Sequence, residues 1–448
     1  MATSFLNDLM QTLGDRGRSW MGRPREVLRT DDLAEIGEAL LSRRGEASGV
    51  ALARTLLEGY ANAPLARRLA FLTALADRFG PDAEKLGRAV AAYQADPSAK
   101  TIAALQRAAE PRRQELIRRL NLAPGGTEAL VRMREELLTH LAARPDLAAI
   151  DSDFSHLFGS WFNRGFLVMR PIDWSTPANI LERIIRYEAV HAIDGWDDLR
   201  RRLEPADRRC YAFFHPRLVD EPLIFVEIAL TTGIPRAIAP VLDSERQPMR
   251  AEDTDTAVFY SISNTQKGLQ GVSFGHFLIK QVAEELKRDL PNLRTFVTLS
   301  PVPGFARWLS RERKLDHSRY FSAAAREALS ALDTPGWQAD PTTASRVEEL
   351  LLPAAASYFL RAKSPAGRPV DPVARFHLGN GARLEQLNFL GDVSKKGLDQ
   401  AHGLMVNYRY DLDEIERNHE AYAEKGEVVV APRVRKLLRA EEKTPEAA

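Results

Sequence analysis

The chain has 448 residues, enough at roughly 100–200 residues per domain for two to four domains, and its 44% hydrophobic content can bury a sizeable core. Lys+Arg 62 against Asp+Glu 61 leaves a formal charge of +1, which provides no general field for nucleic acid and confines any anion site to a local cluster. The single cysteine, Cys210, excludes an intrachain disulfide and any multi-cysteine zinc or iron–sulfur site.

The opening stretch, MATSFLNDLMQTLGDRGRSW, has no charged start followed by an apolar region, and Asp8 and Asp15 argue against an organellar presequence. No segment reaches the ~18 consecutive apolar residues of a membrane span. Thr444 to Ala448 carries neither a lipidation box nor a peroxisomal tripeptide. A soluble cytoplasmic protein with no membrane partner is expected.

Residues 1–165 are dominated by Ala, Leu, Arg and Glu, with a helical apolar period. Leu130, Met133, Leu137, Leu138 and Leu141 form one stripe on a helix opened by Thr127 and closed near Pro145. Similar stripes run through Leu33–Leu41, Ala51–Ala61, Leu65–Phe79 and Leu86–Tyr93. No polar, nucleophilic or glycine-rich constellation accompanies them. The expectation is an all-helical bundle whose role is packing, and through which the protein forms a homo-oligomer.

After residue 165 the pattern is mixed, giving an α+β chain with a second domain over 166–448. Pro177–Arg186 reads as a helix with Ile180, Ile184 and Ile185 on one side. Tyr211–Phe214, Leu223–Leu230, Ala257–Ile262 and Arg294–Leu299 read as strands bounded by turn residues. Glu227 interrupts the second of these and, by alternation, is expected to face outward. His276–Leu290 reads as a crossover helix with Leu278, Val282 and Leu286 inward, so part of the sheet should be parallel.

Gly268-Leu269-Gln270-Gly271-Val272-Ser273-Phe274-Gly275 follows a strand and opens that helix. Glycines and the free N–H groups of a helix start suit a pyrophosphate. The spacing is neither a Walker A nor a Rossmann fingerprint. Taken alone, such a turn is more often a tight connection. Its placement resembles the pyrophosphate loop of GNAT-type acyltransferases, although from Gln270 the fourth position of that signature is Ser273 instead of glycine, with Gly275 at the sixth.

Longer blocks are more specific. Ser261 through Val272, Phe277-Leu278-Ile279-Lys280 and Leu299-Ser300-Pro301-Val302-Pro303-Gly304-Phe305 closely resemble the malonyl-CoA decarboxylase family. So do Glu188-Ala189-Val190-His191, Phe213-Phe214-His215-Pro216, Phe376 through Ala382, and Gly403 through Tyr410. The blocks lie in order over about residues 170–410. The resemblance implies a helical domain ahead of a GNAT-like mixed-sheet catalytic domain, and conversion of malonyl-CoA to acetyl-CoA and CO2. It implies Ser300 and His377 as the catalytic pair, the serine as proton acceptor or relay and the histidine as donor. It also implies a CoA-binding segment over Gln270, Gly271, Val272, Ser273, Phe274, Gly275 and His276.

The chemistry fits such a pair. In a malonyl thioester the thioester is itself the electron sink, so no metal, biotin or pyridoxal phosphate is expected. The protein must hold the carboxylate out of the carbonyl plane and supply an acid for the α-carbon, and histidine suits that role. Ser300 precedes Pro301, which biases it to extended backbone at a strand end. Asn407 and Tyr410 are expected to support His377. Arg409 is a weaker candidate for the malonyl carboxylate, since an arginine in a strand more often faces solvent. His191 and His215 read as structural hydrogen-bonding groups, and no histidine spacing suggests a metal site. A CoA-dependent acyltransferase and a non-catalytic CoA sensor are the competing readings. The pair argues against the sensor.

Overall fold

In this computed structural model residues 32–42, 45–272 and 278–441 are described. The chain divides into two compact units. One comprises the described residues of Met1–Trp161 together with Gln266–Val272, the other Phe162–Thr265 and the described residues of Ser273–Ala448.

The first unit is all-helical. Its described residues form eight α-helices, from Leu33–Leu41 to Ala148–Trp161. The apolar stripes become its core: Leu56, Phe71, Leu72, Phe79, Leu116, Leu130, Leu137 and Phe154 are all buried. On the Gly126–His140 helix, Leu130, Met133 and Leu137 are buried, while Leu138 and Leu141 drift to half-buried positions. Segment Gln266–Val272 joins this unit for a local reason. A Cβ on Gly268 would lie 2.0 Å from the Val131 carbonyl oxygen, and the buried Arg134 guanidinium donates to the Gly268 carbonyl at 2.8 Å. Only glycine permits that approach. The helices Ala83–Ala95 and Ala99–Ala109 pack on each other yet contain no buried residue.

The second unit is built on one mixed sheet. Its strands are β1 (Val168–Pro171), β2 (Arg208–Phe214), β3 (Pro222–Thr231), β4 (Thr256–Asn264), β5 (Thr295–Thr298), β6 (Ser300–Pro301), β7 (Arg383–Asn388) and β8 (Met405–Tyr410). The order is β1-β2-β3-β4-β5-β8-β6, with β7 also paired to β8. Only β4 and β5 run parallel, joined through the Leu278–Asp289 helix, whose Leu278, Val282 and Leu286 are buried as the sequence predicts. This is the mixed-sheet layout that the resemblance implied.

Three consequences position the site. First, β4 pairs with β5 only from Thr256↔Thr295 to Phe259↔Thr298, while β4 runs on to Asn264 beside β3. The two strands part there. Second, β8 crosses the end of β5 and continues against β6, pairing Phe296↔Tyr410 and then Ser300↔Val406. Third, the helix Pro372–Gly379 starts on Asp371, whose carboxylate accepts from the Ala374 N–H at 2.7 Å, and stops before Gly381. Gly381 has φ +82°, and a Cβ there would lie 2.1 Å from the Ile415 carbonyl oxygen.

Glu227 corrects an expectation. It is 0% exposed, because β3 is covered on both faces over nearly its whole length, and its carboxylate pairs with Arg202 at 3.2 Å. Alternation places a residue outward only where one face of a sheet meets solvent. Among the described residues no helix is long and apolar enough to cross a membrane.

Gly381 and Gly426 share a left-handed backbone but not their surroundings, since the nearest atom to a Cβ on Gly426 is 3.7 Å away. Gly426→Ala should cost about 1–2 kcal/mol from backbone strain alone, and Gly381→Ala about 2–5 kcal/mol once the clash is added. Urea-unfolding midpoints measure both. Equal losses would show that the Ile415 carbonyl does not constrain the turn.

Candidate active site

Where β4 and β5 part, a cavity of about 250 Å3 opens. Phe259, Tyr260, Ile262 and Asn264 line it from β4, Ser300 and Pro301 from β6, and Val190 from the loop after the Ala178–Tyr187 helix. Pro372, Val373, Phe376 and His377 close it from the helix that Asp371 caps. None of these lining residues carries a formal charge. The site is apolar except for Asn264, the Tyr260 hydroxyl, the Ser300 hydroxyl and the His377 imidazole.

Ser300 and His377, 77 residues apart in the chain, meet here: Ser300 Oγ lies 3.3 Å from His377 Nε2. The other ring nitrogen, Nδ1, lies 2.7 Å from the Tyr410 hydroxyl. The Tyr408 ring stacks on the imidazole at a centroid distance of 4.5 Å and 23° between planes. Tyr408 and Tyr410 reach the same ring because residues two apart on a strand share a face. Ser300 is 6% and His377 3% exposed. Burial lowers the His377 pKa to about 3 and pushes the Tyr410 phenol well above its ordinary value, so both are neutral near pH 7.

The hydrogen-bond directions then follow from neutrality. The Ser300 hydroxyl donates to Thr298 Oγ1 at 2.9 Å. Its oxygen is left to accept from Nε2–H, and Nδ1, without a proton, accepts from the Tyr410 hydroxyl. The imidazole thus presents an N–H on the cavity side.

Not every predicted residue joins this group. Tyr410 does. Asn407 does not touch His377; its side-chain amide donates to the Thr298 carbonyl at 2.7 Å and its oxygen accepts from Asn388 at 2.7 Å, so it holds the strand that carries Ser300. Arg409 lies 3.7 Å from Asp411, half-buried and outside the cavity lining. The His215 ring packs on Phe162 at 4.8 Å, and its Nδ1 accepts from the Arg217 N–H, a structural role. His191 is also set apart from the pair; its backbone N–H donates to Glu188 at 2.7 Å. Of the segment expected to bind CoA, Gln270, Gly271 and Val272 are described, with Gly271 at φ +79°. Ser273, Phe274, Gly275 and His276 lie outside the described residues. Thr298 was missed, although it stands two residues before Ser300 and therefore on the same face.

The family model for the malonyl-CoA decarboxylase C-terminal domain matches residues 165–448, and that for the N-terminal domain of the same family matches residues 79–162. The chain is 34% identical over 394 residues to the mitochondrial malonyl-CoA decarboxylase of Anser anser anser, covering 80% of this chain and 77% of that protein. The crystal structure of malonyl-CoA decarboxylase from Rhodopseudomonas palustris is similar at 66% identity with a TM-score of 0.88, over 91% of this chain and 99% of that one. That from Agrobacterium vitis is similar at 60% identity with a TM-score of 0.86, over 91% and 99%.

The buried imidazole carries a pH signature. Between its ordinary pKa of 6.5 and its folded value of about 3, the unfolded chain binds a proton that the folded chain does not. His377 therefore leaves stability untouched above pH 6.5 and lowers it as the pH falls from there toward 3. His377→Gln should lose less stability than the wild type on going from about pH 7 to about pH 5, measured by urea unfolding. Equal losses would mean that the ring is not held neutral.

Proposed function

The chain belongs to the malonyl-CoA decarboxylase family, and from that premise we propose that it releases CO2 from malonyl-CoA in the cavity between β4 and β6, with His377 as the proton donor and Ser300 as the oxygen that accepts its Nε2–H. The observation that carries this reading is the neutral Ser300–His377–Tyr410 chain facing a largely apolar cavity.

A malonyl carboxylate entering this cavity leaves water for a lining that, among the described residues, holds no cation to pair with, which disfavours the charged group and favours its departure as CO2. The bond between the carboxylate carbon and the α-carbon breaks, and its electron pair moves into the thioester as an enolate. No metal, biotin or pyridoxal phosphate is required, because the thioester takes the pair. The arriving negative charge raises the pKa of His377, so the ring gains a proton as substrate binds. The Tyr410 hydroxyl then turns from donor to acceptor for Nδ1–H, which a phenol can do. After CO2 has left, Nε2–H passes its proton to the α-carbon; the ring is then neutral with its remaining proton on Nδ1, and the starting tautomer is restored once that proton is exchanged for one on Nε2. One proton is taken up per turnover, as the reaction requires.

The segment Gln270 to His276 is kept as the CoA-binding loop on the strength of the family resemblance. A reducing, cytoplasmic setting is kept as well, supported by a lone Cys210 that is buried. The homo-oligomer also remains part of the proposal. It is supported by the Ala83–Ala95 and Ala99–Ala109 helices, which bury no residue and leave Val90 and Ile102 exposed. A second copy would cover such faces.

Two measurements test the proposal. Ser300→Ala and His377→Ala should each slow acetyl-CoA formation from malonyl-CoA by on the order of 10²–10⁴-fold; near-normal turnover in either variant removes that residue from the pair. Light scattering at micromolar concentration should give a mass above that of one chain, and replacing Val90 and Ile102 by glutamate should lower it. A wild-type monomer would end the oligomer proposal without touching the chemistry.

A further inference from the structure

We propose that Thr298 is a positioning residue for the reaction. By taking the Ser300 hydroxyl proton, it leaves the serine oxygen free to accept from His377 and so fixes which ring nitrogen presents a proton to the cavity. The inference rests on the Ser300–His377 reading above and adds to it the group that orients the serine.

The argument begins with a break in a β-ladder. The antiparallel register of β8 runs unchanged from Val297↔Arg409 to Ser300↔Val406, which sets Thr298 opposite Tyr408. The paired residues stop at Val297↔Arg409 and resume at Ser300↔Val406. The Tyr408 N–H donates to Thr298 Oγ1 at 3.1 Å, and the Thr298 carbonyl accepts from the Asn407 side chain at 2.7 Å. Side chains thus add hydrogen bonds at this point, and the threonine hydroxyl is drawn into the backbone network.

The hydrogen bonds at Thr298 have a direction. A backbone N–H can only donate, so one lone pair of Thr298 Oγ1 is committed to Tyr408. The second takes the Ser300 hydroxyl at 2.9 Å, and Thr298 is 0% exposed, so water does not compete. With its proton held there, Ser300 Oγ faces Nε2 as an acceptor, and the neutral ring carries its proton on Nε2. The reverse polarity would turn the Ser300 proton toward Nε2 and leave a bare nitrogen on the cavity side. A charged ring also needs an acceptor at each nitrogen. Thr298 has Ser300 already turned as one of them before substrate arrives, so no reorientation is needed there.

Thr298→Val keeps the shape and removes the hydroxyl; Thr298→Ser keeps the oxygen. We expect Thr298→Val to lower kcat for malonyl-CoA by about 10–100-fold with little change in KM, the size of effect that follows from misplacing a reacting group. Thr298→Ser should restore most of the loss. The double variant Thr298→Val with Ser300→Ala should turn over no more slowly than Ser300→Ala alone, because the threonine acts only through the serine. Multiplied losses in the double variant would assign Thr298 a merely structural role and overturn the proposal. A wild-type kcat in Thr298→Val, with Ser300→Ala still slow, would overturn it while leaving the catalytic pair intact. If Ser300→Ala were fully active, the pair itself would fail and this proposal with it. Should Thr298→Val not fold, because the Tyr408 N–H loses its acceptor, Thr298→Cys leaves a weak sulfur acceptor in place and is read in the same way.

Discussion

The structure around the site depends on one constraint: an imidazole buried almost completely with only neutral partners. Both nitrogens of His377 face hydroxyl groups, its ring lies against Tyr408, and among the described residues no formally charged one lines the same cavity. Burial without a counter-charge disfavours the charged ring, and here it lowers the pKa to about 3. In the proposed reaction, the residue that gives up a proton is therefore stored without the charge. The proposed chemistry resolves this, because the substrate would bring the missing anion. The protein needs no permanent carboxylate beside the ring, and a permanent carboxylate would repel the malonyl group.

Charged side chains are present nearby but are spent on holding backbone. Arg202 donates to the carbonyls of His191 and Ala192 at 2.8 Å each and pairs with Asp198 and Glu227. Glu188 accepts from the N–H groups of Val190 and His191 and from the Ser261 and Ser263 hydroxyls. Lys396 donates to the carbonyls of Ala189 and Val190. The loop that presents Val190 to the cavity is thus fixed on several sides, while its contribution to the lining stays apolar. Glu227 belongs to this arrangement: its carboxylate is buried because Arg202 needs a partner there, and burial beside Glu188 raises its pKa to about 8.

Much of this was legible in the sequence, and the residues show where legibility stops. The helical stripes predicted core positions such as Leu130 and Leu137, because a period of 3.6 is a local property. The crossover helix with Leu278, Val282 and Leu286 inward followed from the same rule. Ser300 and His377 were singled out by family blocks, not by pattern, since alone each is an ordinary turn serine and an ordinary buried histidine. Glu227 was misjudged because alternation says nothing about whether a second layer covers the outer face. Asn407 was placed near the right strand with the wrong partner, because whether an amide in a strand reaches a ring or a carbonyl depends on register between strands distant in sequence. That register is set by packing, and a single sequence does not state it.

The same reasoning explains why Ser300 stands at a broken ladder. A serine in an unbroken strand would have its hydroxyl directed only by side-chain neighbours, each free to rotate. At the end of β5 the chain must part from β4 to open the cavity, and the ladder to β8 loosens at the same place. The N–H and carbonyl released there are buried and must find partners, since an unpaired buried polar group costs about 1–3 kcal/mol. Thr298 and Asn407 supply them. The opening that admits substrate and the hydroxyl that orients Ser300 are therefore two results of one event, the divergence of β4 from β5. Closing the ladder would satisfy the backbone without side chains, but it would remove the cavity and leave the serine without a fixed proton.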